Sequence, residues 1–183
     1  FSYIKELKII YMGTPEFSAT VLKGLIENYK VRLIITQPDK KVGREQKIVY
    51  PPVKQVGLDN TILVLQPNRI MDEYQALKEM EPDLIITCAY GEIIPKQILD
   101  YPRLGCINVH ASLLPKLRGG APINRAIMDG YSKTGITIMF MDVKMDSGAI
   151  IESEETKKGD SESYKSLHDR LSIMGSELLI KVL

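Results

Sequence analysis

The chain has 183 residues, of which 44% are hydrophobic and 26% are charged, the ordinary composition of a globular domain with a substantial core. Its 24 basic and 23 acidic residues give a formal net charge of +1, which excludes nucleic-acid binding through overall charge alone. No apolar run approaches the roughly 18 residues of a membrane helix, and no signal peptide is visible. These features predict a cytoplasmic protein without a membrane partner.

The two cysteines do not suggest a metal site or a disulfide framework. Cys88 and Cys106 stand far apart in the sequence, each within an apolar run and without a second ligand pair nearby. We therefore expect two buried free thiols in a reducing compartment, and no bound metal.

Short apolar runs alternate with amphipathic runs along the whole chain. The predicted strands are 7–12, 31–36, 62–65, 82–88, one beginning at 106, 134–141 and 149–153. The predicted helices are 15–28, 51–58, 72–80, 95–99, 122–129 and one beginning at 161. This alternation predicts an α/β fold with a doubly wound, mostly parallel sheet and a Rossmann-like N-terminal half. Only one glycine follows the first strand, where a dinucleotide fingerprint needs three, which argues against NAD binding.

The first and last helices carry more detailed signals. Thr14 is a credible N-cap of the first helix. The inward face of that helix comprises Phe17, Val21, Leu22 and Leu25. The apolar stripe of the last helix comprises Tyr164, Leu167, Leu171, Met174, Leu178 and Val182. His168 has no polar cluster around it in the sequence, so we expect it on the helix surface.

The strand that begins at Cys106 carries two polar side chains on one face. Side chains alternate across a strand, so Asn108 and His110 share a face, about 6–7 Å apart, while Ile107 and Val109 point the other way. An amide is a neutral donor and an imidazole exchanges protons near pH 7. Such a pair suits a carbonyl that becomes an oxyanion. Taken alone, it could equally be two satisfied polar residues at a strand end.

The longer stretch 106–123 resembles the signature of the folate-dependent formyltransferases. Asn-Val-His-Ala-Ser-Leu-Leu-Pro runs from 108 to 115, and Arg-Gly-Gly-Ala-Pro runs from 118 to 122. The resemblance is closest to the branch whose acceptor is methionyl-tRNA. Further matching blocks are Gly-Thr-Pro-Glu-Phe at 13–17, Gln-Pro-Asp with Gly-Arg within 37–44, and Met-Asp-Ser-Gly at 145–148. The similarity covers residues 7–182 and departs from the family at Gly120, Glu45 and Ala149.

The resemblance implies an enzyme that transfers the formyl group of 10-formyltetrahydrofolate to the α-amino group of methionine on initiator methionyl-tRNA, for translation initiation. It implies that Asn108, His110 and Asp146 are catalytic; Asp142 is the other carboxylate in the same loop. The implied folate-binding residues are Ser112, Leu113, Leu114, Pro115, Tyr90, Gly91, Glu92, Ile93 and Ile94. The implied tRNA-binding residues are Arg44 as the main contact and Lys40, Lys41 and Lys47 at phosphates, all within a predicted polar loop over 37–47.

Several alternatives remain open from the residues alone. The basic loop could be a solvated surface, and Asp146 could be an ordinary turn residue. The same scaffold also serves enzymes that formylate glycinamide ribonucleotide or an amino sugar nucleotide, and a non-catalytic folate-binding or tRNA-binding module is a further alternative. We expect one monomeric formyltransferase domain over 1–183, with residues 1–6 foreign to it. We also expect the C-terminal β-barrel domain of the family to be missing, because the chain stops within a helical run.

Overall fold

The computed structural model describes residues 7–112, 133–142 and 148–183. The strands are β1 Ile9–Gly13, β2 Val31–Ile35, β3 Lys40–Val42, β4 Lys47–Val49, β5 Leu63–Leu65, β6 Leu84–Cys88, β7 Cys106–His110, β8 Lys133–Phe140 and β9 Ile150–Lys157. The helices are α1 Glu16–Asn28, α2 Pro52–Asp59, α3 Tyr74–Glu79, α4 Lys96–Asp100 and α5 Tyr164–Val182. A 3-10 turn, Ile70–Glu73, leads into α3.

Seven strands form one sheet in the order β5-β2-β1-β6-β7-β8-β9. The pairs from β5 to β7 are parallel, whereas β8 and β9 add as antiparallel strands. The central strands β1 and β6 are buried at every residue, as expected where both faces of a parallel sheet are covered. The predicted doubly wound, mostly parallel α/β sheet is therefore confirmed.

Two apolar clusters cover the two faces of the sheet. One contains side chains of α1 and α5 together with Ile107 and Val109 of β7. The other contains side chains of the 3-10 turn, α3 and α4 together with Cys106. The alternation predicted for β7 is therefore correct. It places Asn108 and His110 on the second face, the side that α3 and α4 cover.

The inward face predicted for α1 is confirmed, because all four of its apolar residues are buried. The cap prediction was wrong. Pro15 precedes the helix and provides no side-chain cap, while the Thr14 hydroxyl donates to the carbonyl oxygen of Tyr90 at 2.7 Å. Thr14 therefore joins two loops instead of closing a helix end.

The region 37–47 is not the loop that its polarity predicts. Strands β3 and β4 pair with each other in antiparallel fashion and form a separate two-stranded ribbon. The turn between them uses two residues with positive φ, Gly43 at 76° and Gln46 at 52°. A compact hairpin therefore replaces the predicted loop.

The C-terminal elements also differ in detail from the prediction. Helix α5 begins at Tyr164, and the side chain of Ser163 caps it by accepting from the Ser166 N–H at 3.2 Å. Tyr164 is 45% exposed, so it does not belong to the buried stripe. His168 is only 15% exposed and packs edge-on against the ring of Phe17, with ring centroids 5.5 Å apart, so its surface assignment was wrong. The predicted helix 122–129 lies outside the described residues.

The prediction of buried free thiols is confirmed. Cys88 and Cys106 are both free and buried. Burial raises the pKa of each thiol to about 12. Both sulfurs therefore stay protonated at neutral pH, and we expect them to act as small apolar core groups.

Helices α1 and α5 approach closely at Gly24. A Cβ atom at this position would lie 1.6 Å from Ser176 Oγ and 2.9 Å from Ser176 Cβ. We expect Gly24→Ala to lower the free energy of unfolding by about 1–3 kcal/mol, measured by urea denaturation. Ser176→Gly in the same chain should restore most of that loss. Gly159→Ala is the control, because its Cβ would meet nothing closer than 3.5 Å. Equal losses at Gly24 and Gly159 would contradict this packing.

The carboxylate of Glu162, just before α5, is hydrogen-bonded by Arg170. Arg170 donates to Glu162 Oε1 at 2.6 Å and to the carbonyl oxygen of Lys157 at 2.9 Å, joining the end of β9 to α5. The Arg170 hydrogen bonds lower the pKa of Glu162 from its usual 4.5 to about 2. We therefore expect Glu162→Gln to cost about 1–2 kcal/mol of stability at pH 7.

The difference in stability between the original protein and Glu162→Gln should depend on pH. Because folding lowers the pKa of Glu162, its carboxylate stabilises the folded state fully above about pH 4.5, and this contribution is lost as the pH falls towards about 2. The stability gap between the two proteins should therefore be constant from about pH 6 to 8 and should shrink between about pH 4.5 and 2. A gap that widens on acidification would contradict the assignment.

Candidate active site

The carboxyl ends of β1, β6 and β7 lie side by side at one edge of the sheet. Ligands of open α/β sheets bind beyond this edge. The ends of β1 and β6 approach so closely that a Cβ at Gly13 would lie 2.7 Å from the carbonyl oxygen of Cys88. Glycine therefore permits this contact, and the loops that leave the two strands remain together through the Thr14–Tyr90 hydrogen bond.

Asn108 is held in place by the neighbouring parallel strand. Thr87 stands directly opposite it in the β6–β7 register, and the Thr87 hydroxyl donates to Asn108 Oδ1 at 2.9 Å. Thr87 is buried, whereas Asn108 is only partly buried. Because the amide oxygen accepts this bond, the amide nitrogen is the group with which Asn108 can donate to a ligand.

His110 is held by the residues that follow it. Its side chain is buried, and Nδ1 lies 2.6 Å from Ser112 Oγ. The Ser112 N–H donates to the carbonyl oxygen of His110 at 2.9 Å, and the Thr137 hydroxyl donates to the carbonyl oxygen of Ser112 at 2.6 Å. The chain beyond β7 thus folds tightly around the imidazole and orients it on the same face as Asn108.

The turn after β6 carries five of the residues expected to bind folate. Two left-handed residues shape it, Ala89 with φ 50° and Gly91 with φ 100°. Glu92 accepts from the Ile70 N–H at 3.0 Å, which joins the turn to the 3-10 helix. Ile93 is 74% exposed, whereas Ile94 is buried. The turn therefore presents backbone and one apolar side chain at the edge of the sheet.

The side chain of Tyr90 in this turn is unusual. It is buried, and within the described residues its hydroxyl has no hydrogen-bond partner. Burial, and then the charge of Glu92, raises the pKa of the Tyr90 phenol. A buried hydroxyl without a partner is costly, so this neutral donor is available to a polar group that enters the region.

The four basic residues expected at tRNA all belong to the β3–β4 hairpin and its turn. The cross-strand pairs place Lys40 and Lys47 on one face of the ribbon and Lys41 on the other, while Arg44 lies in the turn. All four are exposed. They form a basic ribbon that is not part of the sheet that carries Asn108 and His110.

The structure brings together only part of the predicted site. It places Asn108 and His110 on one face and Ser112 against His110. Asp146 and the predicted folate residues 113–115 lie outside the described residues. Sequence reasoning missed Thr87, although a lone threonine in the apolar strand 84–88 was a usable signal. It also missed Thr137, whose role depends on the pairing of β8 with β7.

The described residues hold neither a metal cluster nor a membrane-spanning helix. They contain no cluster of three or more histidine, cysteine, aspartate or glutamate side chains able to hold a metal ion. No helix within 7–112, 133–142 or 148–183 has the length and apolar character needed to cross a membrane.

The fold and site define a doubly wound α/β protein with an amide–imidazole pair at the carboxyl edge of its sheet. The sequence profile described as formyl transferase matches residues 7–183. The chain therefore belongs to the formyl transferase family.

Known relatives agree with this placement. The chain is 48% identical over 178 residues to methionyl-tRNA formyltransferase of Staphylococcus epidermidis, a match that covers 96% of this chain and 57% of that protein. It is 50% identical over 180 residues to methionyl-tRNA formyltransferase of Halalkalibacterium halodurans, covering 97% of this chain and 57% of that protein. The chain thus spans just over half the length of these relatives.

Solved structures support the fold. A phosphoribosylglycinamide formyltransferase from Streptococcus pneumoniae superposes with a TM-score of 0.79 at 19% identity, covering 96% of both chains. A formyltetrahydrofolate deformylase from Pseudomonas syringae gives a TM-score of 0.80 at 15% identity, covering 98% of this chain and 60% of that chain. At such low identity the likeness establishes the formyltransferase fold alone.

The Thr87–Asn108 contact can be tested directly. Thr87→Val keeps the shape of the side chain but removes the donor, so the amide of Asn108 can rotate away. We expect the rate of the formyl transfer that we propose for this site to fall about three- to tenfold, as for the loss of one neutral hydrogen bond. Thr134→Val is the matched control, because the Thr134 hydroxyl is buried on β8 without a partner among the described residues. Equal effects of both variants would contradict a positioning role for Thr87.

Proposed function

We propose that this chain is the catalytic domain of an enzyme that transfers the formyl group of 10-formyltetrahydrofolate to the α-amino group of methionine on initiator methionyl-tRNA. The observation that carries the proposal is the pairing of Asn108 and His110 on one face, in a chain 48–50% identical to methionyl-tRNA formyltransferases. The enzyme would act in the cytoplasm during translation initiation. We also propose that it acts as a monomer.

The formyl donor would lie at the turn after β6. Tyr90 to Ile94 offer backbone groups, a buried hydroxyl without a described partner and the exposed apolar side chain of Ile93. Folate has a flat ring system with polar edges, and such a ligand suits a pocket that combines apolar surface with a few polar groups. Leu113 to Pro115 would complete this pocket, with Ser112 at its boundary beside His110.

The chemical step would begin with attack by the neutral α-amino group. A free α-amino group has a pKa of about 7.7–8, so a useful fraction is already unprotonated. The new C–N bond forms as the carbonyl electrons move to the formyl oxygen, giving an oxyanion and an ammonium group. The Asn108 amide and protonated His110 would donate to that oxyanion. One such donor is typically worth about 3–4 kcal/mol in the transition state.

Collapse of the intermediate requires two proton movements. The ammonium group loses a proton, the oxyanion electrons re-form the carbonyl as the bond from the formyl carbon to N10 breaks, and N10 of the leaving tetrahydrofolate takes a proton from water, so no net proton is released. We propose that Asp146 accepts the first proton through water and holds the His110 imidazole in position. Proton transfer of this kind contributes about 10²–10⁴-fold.

The acceptor end of the tRNA would contact the β3–β4 hairpin. Arg44 in the turn and the three exposed lysines would meet phosphates, which supply affinity without reading sequence. A local patch of this kind is necessary because the net charge of the chain is only +1. The structural neighbours that act on glycinamide ribonucleotide share the fold at low identity and do not favour that acceptor here.

The catalytic assignment makes a specific prediction. Asn108→Ala in the full-length protein should lower kcat for formyl transfer to methionyl-tRNA about 10²–10³-fold, because an oxyanion donor is lost. Binding of the folate substrate, followed by fluorescence titration, should change by less than about threefold, because the donor acts mainly in the transition state. Asn28→Ala is the control, since Asn28 is exposed at the far end of α1. A variant with undiminished kcat would overturn the proposed role.

A further inference from the structure

The basic hairpin needs an external anchor. All six residues of β3 and β4 are exposed, and within the part of the chain that the structure describes the two strands pair only with each other. An isolated two-stranded hairpin is marginally stable in water. Three of its six strand residues are lysines, and their mutual repulsion opposes a compact ribbon further.

Lys54 of helix α2 contacts both ends of this hairpin. Its Nζ lies 3.0 and 2.9 Å from the two carboxylate oxygens of Asp39, the residue just before β3. The same Nζ stands 3.7 Å from the ring centroid of Tyr50, the residue just after β4. An ammonium over an aromatic face is attractive within about 6 Å. One cation therefore holds the entry and the exit of the ribbon together.

Asp39 is also attached to the main sheet. Gln66, just after β5, donates to Asp39 Oδ1 at 2.6 Å and to the carbonyl oxygen of Gln37 at 3.1 Å. The side chains of Lys54 and Asp39 are 14% and 29% exposed, so water screens this ion pair less than it screens a surface pair. Hydrogen bonds from Gln66, and then from Lys54, lower the pKa of Asp39, which therefore remains ionised at neutral pH.

The helix that carries Lys54 is joined to the candidate site. The neighbouring Val53 is fully buried, and its N–H donates to the carbonyl oxygen of Thr14 at 3.3 Å. Thr14 in turn donates through its hydroxyl to the carbonyl oxygen of Tyr90 at 2.7 Å. A short series of contacts thus leads from the hairpin base to the turn proposed to bind folate.

We propose that Lys54 is a positioning residue for the macromolecular acceptor. By joining Asp39 and Tyr50, it fixes the basic hairpin relative to the turn at Tyr90, so that the ribbon holds the acceptor end at the right place. This inference rests on the proposed role of the hairpin in binding tRNA. It assigns no contact between Lys54 and any substrate.

The first test measures hairpin order without any substrate. Lys54→Met removes the charge and keeps most of the stem, so trypsin should cut after Lys41 and Lys47 about five- to tenfold faster, because the open population of the ribbon increases. Lys165→Met is the control, since Lys165 is an exposed lysine paired with Asp169 on α5. Unchanged cleavage in a folded Lys54→Met protein would overturn the inference. If that variant does not fold, Tyr50→Leu provides the same test.

The second test separates positioning from general damage. In the full-length protein, Lys54→Met should raise KM for methionyl-tRNA about three- to tenfold while changing kcat and the KM of the folate substrate less than about twofold. Added to Arg44→Ala, it should raise KM by less than it does alone, because residues that act through one element are not additive. Equal effects on the two KM values would overturn the inference.

The Arg44→Ala and Lys54→Met variants together distinguish tRNA binding by the hairpin from the positioning role of Lys54. If Arg44→Ala leaves KM for tRNA unchanged, the role of the hairpin in tRNA binding fails, while trypsin cleavage still reports whether Lys54 orders the ribbon. If Arg44→Ala raises that KM and Lys54→Met does not, only the positioning role of Lys54 is overturned.

Discussion

The pairing of β7 with its parallel neighbour β6 is the constraint on which the candidate site depends. The register sets Thr87 opposite Asn108, so that the amide oxygen is already engaged and the amide nitrogen is left to donate. Because side chains alternate, the same strand places His110 on the same face as Asn108. Ile107 and Val109 point to the other face, where they pack in the apolar cluster under α1 and α5. A shift of one residue would exchange the polar pair and the apolar pair.

The site combines a rigid part with an exposed part. The rigid part lies on buried central strands, where close packing allows little movement. The exposed part that we propose is the basic ribbon, whose six strand residues are all exposed. This division suits a reaction between a small donor and a large acceptor. The groups that meet the reacting atoms must be held within fractions of an ångström, whereas a basic surface needs only to be presented in the right direction.

Much of the fold could be predicted because its signals are local. Buried runs of β-branched residues identified the central strands, and the period of two placed Asn108 and His110 on one face. The β3–β4 hairpin was missed because its three-residue strands are exposed on both faces and show no alternation. Thr14 was misassigned as a helix cap because its real partner, Tyr90, is 76 positions away in sequence. The supports of the site, such as Thr87, require knowledge of which strands are neighbours.

The most direct test of the account is a parallel assay of formyl transfer by the full-length protein to three acceptors. These are methionine-charged initiator tRNA, glycinamide ribonucleotide and an amino sugar nucleotide, each supplied with 10-formyltetrahydrofolate and analysed by mass spectrometry. We expect the methionyl group on the tRNA to gain the formyl group and neither small amine to do so. Transfer to a small amine without transfer to the tRNA would rule out the proposed function.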